Sequence, residues 1–232
     1  MVSNKNKKNG KRRPYNLKAR ARRQEQVHHR ITLAALHLHE TVGPAKTTMK
    51  AIAEIAGVRR ATVYNHFPTE LDLIDACSSH WFVENPPPDP GSWAETQNPA
   101  DRTERALREI YRYYGQGRKM LENVLRDAAV VPAMDEIRRR KWVPFLENIV
   151  EQLAEGWESY RSGQSKSGSA DSGSVLTAET KERLRASLRV ALDFFNWKIL
   201  TDSGLSNDAA AKLAAGWVKA SQRRADFGGR RP

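Results

Sequence analysis

The chain has 232 residues, a formal net charge of +12 and a single cysteine, Cys77. That length can bury a core in one large domain or two smaller ones, and one thiol excludes both an intramolecular disulfide and a multi-cysteine zinc cluster. No apolar run reaches the roughly 18 residues that cross a bilayer, and no apolar stretch follows the charged N-terminus as a secretory signal requires, so cytoplasmic residence is expected.

The charge is unevenly placed. Residues 1–23 hold Lys5, Lys7, Lys8, Lys11, Arg12, Arg13, Lys18, Arg20, Arg22 and Arg23 and no acid, whereas residues 24–80 hold cations and acids in near balance. Nearly all the excess therefore sits in an N-terminal arm, expected to be disordered over 1–23, that either binds a polyanion or aids solubility.

After the arm, "VHHRITLAALHLHETVGP" places Val27, Ile31, Ala34, Ala35, Leu38 and Val42 at helical spacing and stops at Gly43-Pro44. Thr47 and Thr48 are N-cap residues for "MKAIAEIA", and Gly57 supplies the left-handed residue that ends that helix. A short helix over about 60–67 halts at Pro68. Thr69 then caps another, with Asp72 where a capping-box acid sits. "ENPPPDPGSWAETQNP", within 83–100, is a proline-rich connector and the expected domain boundary.

Beyond it the period is again helical, over 101–221. Leu107, Ile110, Tyr111 and Tyr114 share one face, and Trp142, Leu146, Ile149 and Leu153 another. "RSGQSKSGSADSGS" marks a flexible loop, placed at 161–175. Leu184, Leu188, Ala191, Leu192, Phe195 and Ile199 mark one long helix. Ser206 caps an alanine-rich last helix, and 222–232 is expected to be a disordered tail. No strand-like alternation appears. The chain reads as all-α, with a small three- or four-helix N-terminal head on a larger helical body. The helix-turn-helix in that head, and a ligand-binding and dimerisation role for the body, are what the sequence motif and the resemblance below imply.

Two helices joined at "AGV" form a helix-turn-helix, whose second helix enters the major groove of double-stranded DNA by its N-terminal end. Val58, Val63 and Phe67 can pack inward, which leaves Arg60, Ala61, Thr62 and Asn65 for base edges. Arginine pairs bidentately with guanine, and alanine or threonine touches the thymine methyl. Tyr64 and His66 suit phosphates, as does Thr48 at a helix N-terminus.

"TTMKAIAEIAGVRRATVYNHFPTELDL" resembles the DNA-binding signature of TetR-family transcriptional regulators, over about residues 24–82. "MLENVLRDA" and "ALDFFNWKILTDSGLSNDAAAKLAAGWV" are more loosely similar to body segments of actinobacterial-type members. The resemblance implies a ligand-responsive repressor that binds a palindromic operator as a homodimer through its last two helices, responds to a small-molecule effector and associates with the nucleoid. It implies DNA contacts from Thr48, Lys50, Arg59, Arg60, Ala61, Thr62, Tyr64, Asn65 and His66, with Lys50 where members often place a base-reading arginine. One departure stands out, since Glu70 occupies the place of a usual phosphate-contacting lysine. The alternative reading is a general nucleic-acid-binding or architectural protein driven by the basic arm.

Other candidate chemistry is thin. His28-His29 and His37-x-His39 suggest a metal, but residues 37 and 39 point about 200° apart on a helix and too few ligands converge, so no metal and no cofactor are expected. Cys77, with His80 one turn on, reads as a small packed residue before a redox switch. No nucleophile motif supports an enzyme. In the body, Tyr111, Tyr114, Trp142, Phe145 and Trp197 are candidate walls of an effector pocket, with Asn123, Asp127, Asp193 and Asn196 as its polar anchors. Ala210, Ala211, Ala214, Ala215 and Gly216, with Leu213 and Trp217, suit either a dimer seam or an intramolecular packing face.

Overall fold

The computed structural model describes residues 12–165 and 177–222, which are helical with no strand among them. The first helix, α1 (Arg12–Thr41), begins inside the arm expected to be disordered. Its early residues are mostly helix formers, and Pro14 falls in the first turn, where no backbone N–H is needed. The expectation of disorder is thus corrected for 12–23, while 1–11 lie outside the described residues. Residues 17–26 are all exposed, so Lys18, Arg20, Arg22 and Arg23 stand on a solvated helical extension of the head.

Three shorter helices complete the head, namely α2 (Met49–Ala56), α3 (Arg60–His66) and α4 (Glu70–Glu84). Their ends are set by local chemistry. Thr48 accepts the Ala51 N–H, Gly57 turns left-handed at φ 63°, and Thr69 and Asp72 form a reciprocal capping box. Ile31 and Ala35 of α1 meet Ile52, Val63, Phe67 and Leu73 in one buried cluster. Because this cluster takes a face of every helix, α3 is held by its apolar side and its other side is left to solvent.

The connector runs from Asn85 to Asn98 and is tied down midway. Trp93 lies in a 3₁₀ turn, Pro90–Trp93, is 1 % exposed, and donates its indole N–H to Glu109 Oε2 at 2.8 Å. The body follows as α5 (Pro99–Gln116), α6 (Arg118–Asp127), α7 (Pro132–Ile137), a π-helical turn at Arg138–Trp142, α8 (Val143–Ser165), α9 (Ala178–Leu192), α10 (Phe194–Asp202) and α11 (Asn207–Ser221). Of the expected flexible loop, 161–165 continue α8, and the remainder to 175 lies outside the described residues, as does the tail beyond Gln222.

The single long helix expected across Leu184–Ile199 is instead two, broken at Asp193. Asp193 is extended (φ −69°, ψ 130°) and accepts the N–H groups of Phe195 and Asn196, so it caps α10. The break frees the last carbonyls of α9, which need donors. Tyr111 and Tyr114 of α5 supply them, each hydroxyl donating at 2.6 Å, to Ala191 and Leu192 respectively. The register also changes at the break, which turns Phe195 and Ile199 outward to 40 % and 63 % exposure.

The alanine stripe of α11 divides by function. Ala210, Ala211, Ala214 and Ala215 are buried within the chain, where α11 lies against α5 and α9, while Leu213, Gly216 and Trp217 are exposed. The head meets the body where α1 and the turn after it, Pro44–Lys46, lie on α6 and where α4 lies on α7.

Candidate functional site

All nine residues expected to meet DNA lie in the α2–turn–α3 unit or at its N-cap. Thr48, Lys50, Arg59, Arg60, Ala61, Tyr64 and Asn65 are exposed, and Thr62 and His66 are half-buried. Their disposition follows from α3 being anchored by Val63 and Phe67, which the head core buries at 0 % and 2 % exposure. With those positions inward, the helical period turns 60, 61, 64 and 65 outward. Arg60 and Tyr64 are coupled, with Arg60 Nη2 donating to the Tyr64 hydroxyl at 3.0 Å and the guanidinium 5.5 Å from the ring centre. The arginine is therefore held on the outer face of α3. Lys50 reaches Glu54 at 3.9 Å across open solvent, a contact too exposed to hold it. His66 is steadied from behind by His28, whose ring lies 6.0 Å from it and 4.4 Å from Phe67.

Residues 31–77 match the model of a family described as bacterial regulatory proteins, tetR family. The match covers the head, from within α1 to within α4. No curated protein sequence matches the chain. Among solved structures, the chain is similar to NalD of Pseudomonas aeruginosa, the secondary repressor of the MexAB-OprM multidrug efflux pump. The two are 17 % identical, with 88 % of this chain and 99 % of that one covered and a TM-score of 0.51. It is also similar to a TetR transcription regulator from Haloarcula marismortui (17 % identity, 84 % and 97 % covered, TM-score 0.51) and to a TetR-like regulator from Rhodococcus sp. RHA1 (18 % identity, 83 % and 93 % covered, TM-score 0.50). At such identities the likeness is one of fold, and it extends from the tetR-type head through the helical body. No helix among the described residues is long and apolar enough to cross a membrane.

Most of the residues expected from sequence to wall an effector pocket make contacts within the body. Tyr111, Tyr114, Asp193 and Asn196 build the α9–α10 joint, where Asn196 also donates its amide to the Val190 carbonyl at 2.9 Å. Trp197 is buried, with its indole N–H on Asn207 at 3.0 Å. Phe145 packs on Trp142 from the half-buried edge of the body core.

Asn123 and Asp127 join the tetR-type head to the body instead. Asn123 donates its amide to the His39 and Glu40 carbonyls, closing the end of α1. Asp127 accepts the Ala45 N–H at 2.9 Å and pairs with Arg126 at 2.8 Å. Its carboxyl is held below the usual range, because those hydrogen bonds outweigh the opposing effect of burial. Gly43 leaves room for this contact, since a Cβ there would stand 2.5 Å from Asp127 Oδ2. In the sequence Gly43 marks only a helix stop, and no local signal pairs it with a residue so far along the chain.

Of the expected pocket residues, Trp142 does line a cavity. The space, about 60 Å³, lies between head and body and is lined by Leu36 and His39 of α1, Trp81 and Phe82 of α4, and Met120 and Leu121 of α6. It is smaller than the roughly 300–1,000 Å³ of ordinary ligand pockets. Sequence reasoning missed His39 as a wall. It is 4 % exposed, and burial lowers its pKa to about 4 against a weaker opposing pull from Asp127. Cys77 lies nearby, donating weakly to the Thr32 carbonyl at 3.6 Å, and burial pushes its thiol up to about 12. His80 turns instead to His29, ring to ring at 5.2 Å, so nothing activates the thiol. No cluster of three metal-ligating side chains occurs among the described residues.

Proposed function

We propose that this chain is a homodimeric, ligand-responsive transcriptional repressor, without enzymatic activity, that binds a palindromic DNA operator. The observation that carries the reading is the outer face of α3. Ala61 and Asn65 are exposed there and Arg60 is held beside Tyr64, while Val63 and Phe67 anchor the helix from behind. Such a face reads base edges: arginine to guanine, asparagine to adenine, and alanine to the thymine methyl. Thr48, Tyr64 and His66 flank it as phosphate ligands that fix the register.

Dimerisation is supported by apolar side chains that the last two helices leave in water. Phe195 and Ile199, one turn apart on α10, and Leu213 and Trp217, one turn apart on α11, are each at least 40 % exposed. A second copy would cover them. NalD, similar in fold, is itself described as a repressor.

Regulation would follow from the cavity between head and body. A ligand that binds better when head and body part there would lower DNA affinity by the ratio of its affinities for the two states. The test is selection from a random DNA pool. Near-palindromes with half-sites about one turn, roughly 34 Å, apart are expected. Recovery of featureless sequences, with equal affinity for random DNA across a salt titration, would favour an architectural protein driven by the basic helix and overturn the reading.

A further inference from the structure

His39 is out of place for a buried polar side chain. It lines the cavity between head and body, is 4 % exposed, and its ring forms no hydrogen bond among the described residues. Buried polar groups ordinarily find partners. A neutral imidazole carries one N–H and one bare lone pair, and burial keeps this ring neutral, so the lone pair stays open.

The other walls are rich in sulfur. Cys77 of α4 lines the same cavity, buried, its thiol meeting only the Thr32 carbonyl at 3.6 Å. Met120 of α6 and Met134 of α7 line it too, both buried. The chain's single cysteine and two of its four methionines thus reach one small space, each from a different helix. No carboxylate lines it, and its two cations are already matched, Arg138 by Asp135 and Lys141 by Asp75, at 2.7 Å each.

We propose that the cavity takes a soft monovalent metal ion, Cu(I), held between the Cys77 sulfur and the His39 ring, with the Met120 and Met134 thioethers beside it. This rests on the effector reading above and names the ligand's chemical class. Thiolate and thioether donors select Cu(I) over harder ions, and a monovalent ion of this kind is satisfied by two ligands. Binding forms the sulfur–copper bond and releases the thiol proton to solvent, with no change of oxidation state. Ion and thiolate then cancel, leaving a neutral unit among apolar walls, whereas a divalent ion on the same two donors would leave a net buried charge. Zinc, which wants four ligands, finds no seat, because no three histidine, cysteine or carboxylate groups gather among the described residues. The volume agrees, since about 60 Å³ suits an ion better than an organic effector.

The position also gives the ion a route to the DNA-reading face. Cys77 belongs to the buried cluster in which Val63 and Phe67 seat α3. An ion that draws Cys77 toward His39 therefore pulls on the packing that orients α3, while the two thioethers join the same site to the body.

The experiment is anaerobic titration of the full chain with Cu(I) in competition with bicinchoninate, a coloured Cu(I) chelator, and a parallel titration with Zn(II). The chain should strip a single equivalent of Cu(I) from the chelator, more tightly as pH rises, and hold Zn(II) only weakly. Cys77→Ala and His39→Leu, each confirmed as folded by thermal melts, should weaken Cu(I) binding by about a hundredfold or more, since even the groups behind a metal ligand contribute roughly 10–100-fold. X-ray absorption of the wild-type complex, which needs no variant, should show sulfur and nitrogen on the copper. No competition with the chelator, a folded variant with unchanged affinity, or a copper surrounded by nitrogen alone, as exposed histidines would give, overturns the proposal. Release of labelled operator DNA, followed in parallel, separates the two readings. Cu(I) binding without release leaves the site standing and removes the effector role, whereas absent Cu(I) binding removes the site and leaves regulation by another ligand open to test.

Discussion

Gly43→Ala should cost far more than its size suggests, because Gly43 is where the DNA-binding head is pinned to the body. The backbone there lies at φ 91°, ψ 156°, a region essentially closed to side-chain-bearing residues, and holding alanine in it costs about 1–3 kcal/mol. The added Cβ would also stand 2.5 Å from Asp127 Oδ2 and 2.7 Å from Arg126 Nη2. Relief requires Asp127 to swing away and release the Ala45 N–H, a hydrogen bond to a charged group contributing about 1.5–3 kcal/mol. Together these give roughly 2.5–6 kcal/mol. Gly57→Ala is the control. It is also left-handed, at φ 63°, but a Cβ there meets nothing within 4 Å, so only the backbone term of about 1–2 kcal/mol applies. The assay is urea unfolding of both variants at one protomer concentration, since a dimer's stability depends on concentration. Asp127→Ala gives a second arm, because truncating the obstructing carboxylate should make Gly43→Ala cheaper in that background than in the wild type. Equal costs at positions 43 and 57, or strict additivity with Asp127→Ala, would refute the reasoning.

Glu70→Lys should lose about 0.3–1 kcal/mol of stability, as a cation replaces an acid in the first turn of α4. It should also tighten binding to operator and random DNA alike, since phosphate contacts carry no sequence information, so filter-binding affinities that do not rise would mean residue 70 faces away from the DNA backbone. Deleting residues 1–23 should flatten the salt dependence of DNA affinity, each lost phosphate contact removing about 0.9 from the log–log slope; an unchanged slope would make the basic helix a solubility device. The His39 pKa is lowered to about 4 from 6.5, so the unfolded chain takes up the proton first as pH falls, and stability present above 6.5 should drop by about 3 kcal/mol by pH 4. His39→Gln should remove most of that slope between pH 6.5 and 5 in thermal melts, before the carboxylates begin to titrate. Trp217→Glu should shift the chain toward monomer in sedimentation and weaken operator binding while leaving the helical content intact.

Local features were legible before any fold was known, because they depend on neighbours along the chain. The caps at Thr48 and Thr69, the left-handed turn at Gly57 and the outward set Arg60, Ala61 and Asn65 are each decided within one or two helical turns. The break at Asp193 was not legible. Its apolar pattern continues from Leu184 to Ile199, and the turn is tolerated only because Tyr111 and Tyr114 arrive from α5 to satisfy the freed carbonyls. The same limit applies to the effector site. Aromatic residues mark a core without saying whether a cavity adjoins them, and most of the expected pocket fills the interior or joins two helices. Helical periodicity places a side chain on a face. Which face meets Asp127, and where the walls of a crevice stop short of one another, depends on contacts between residues about eighty positions apart, and only the tertiary structure decides those.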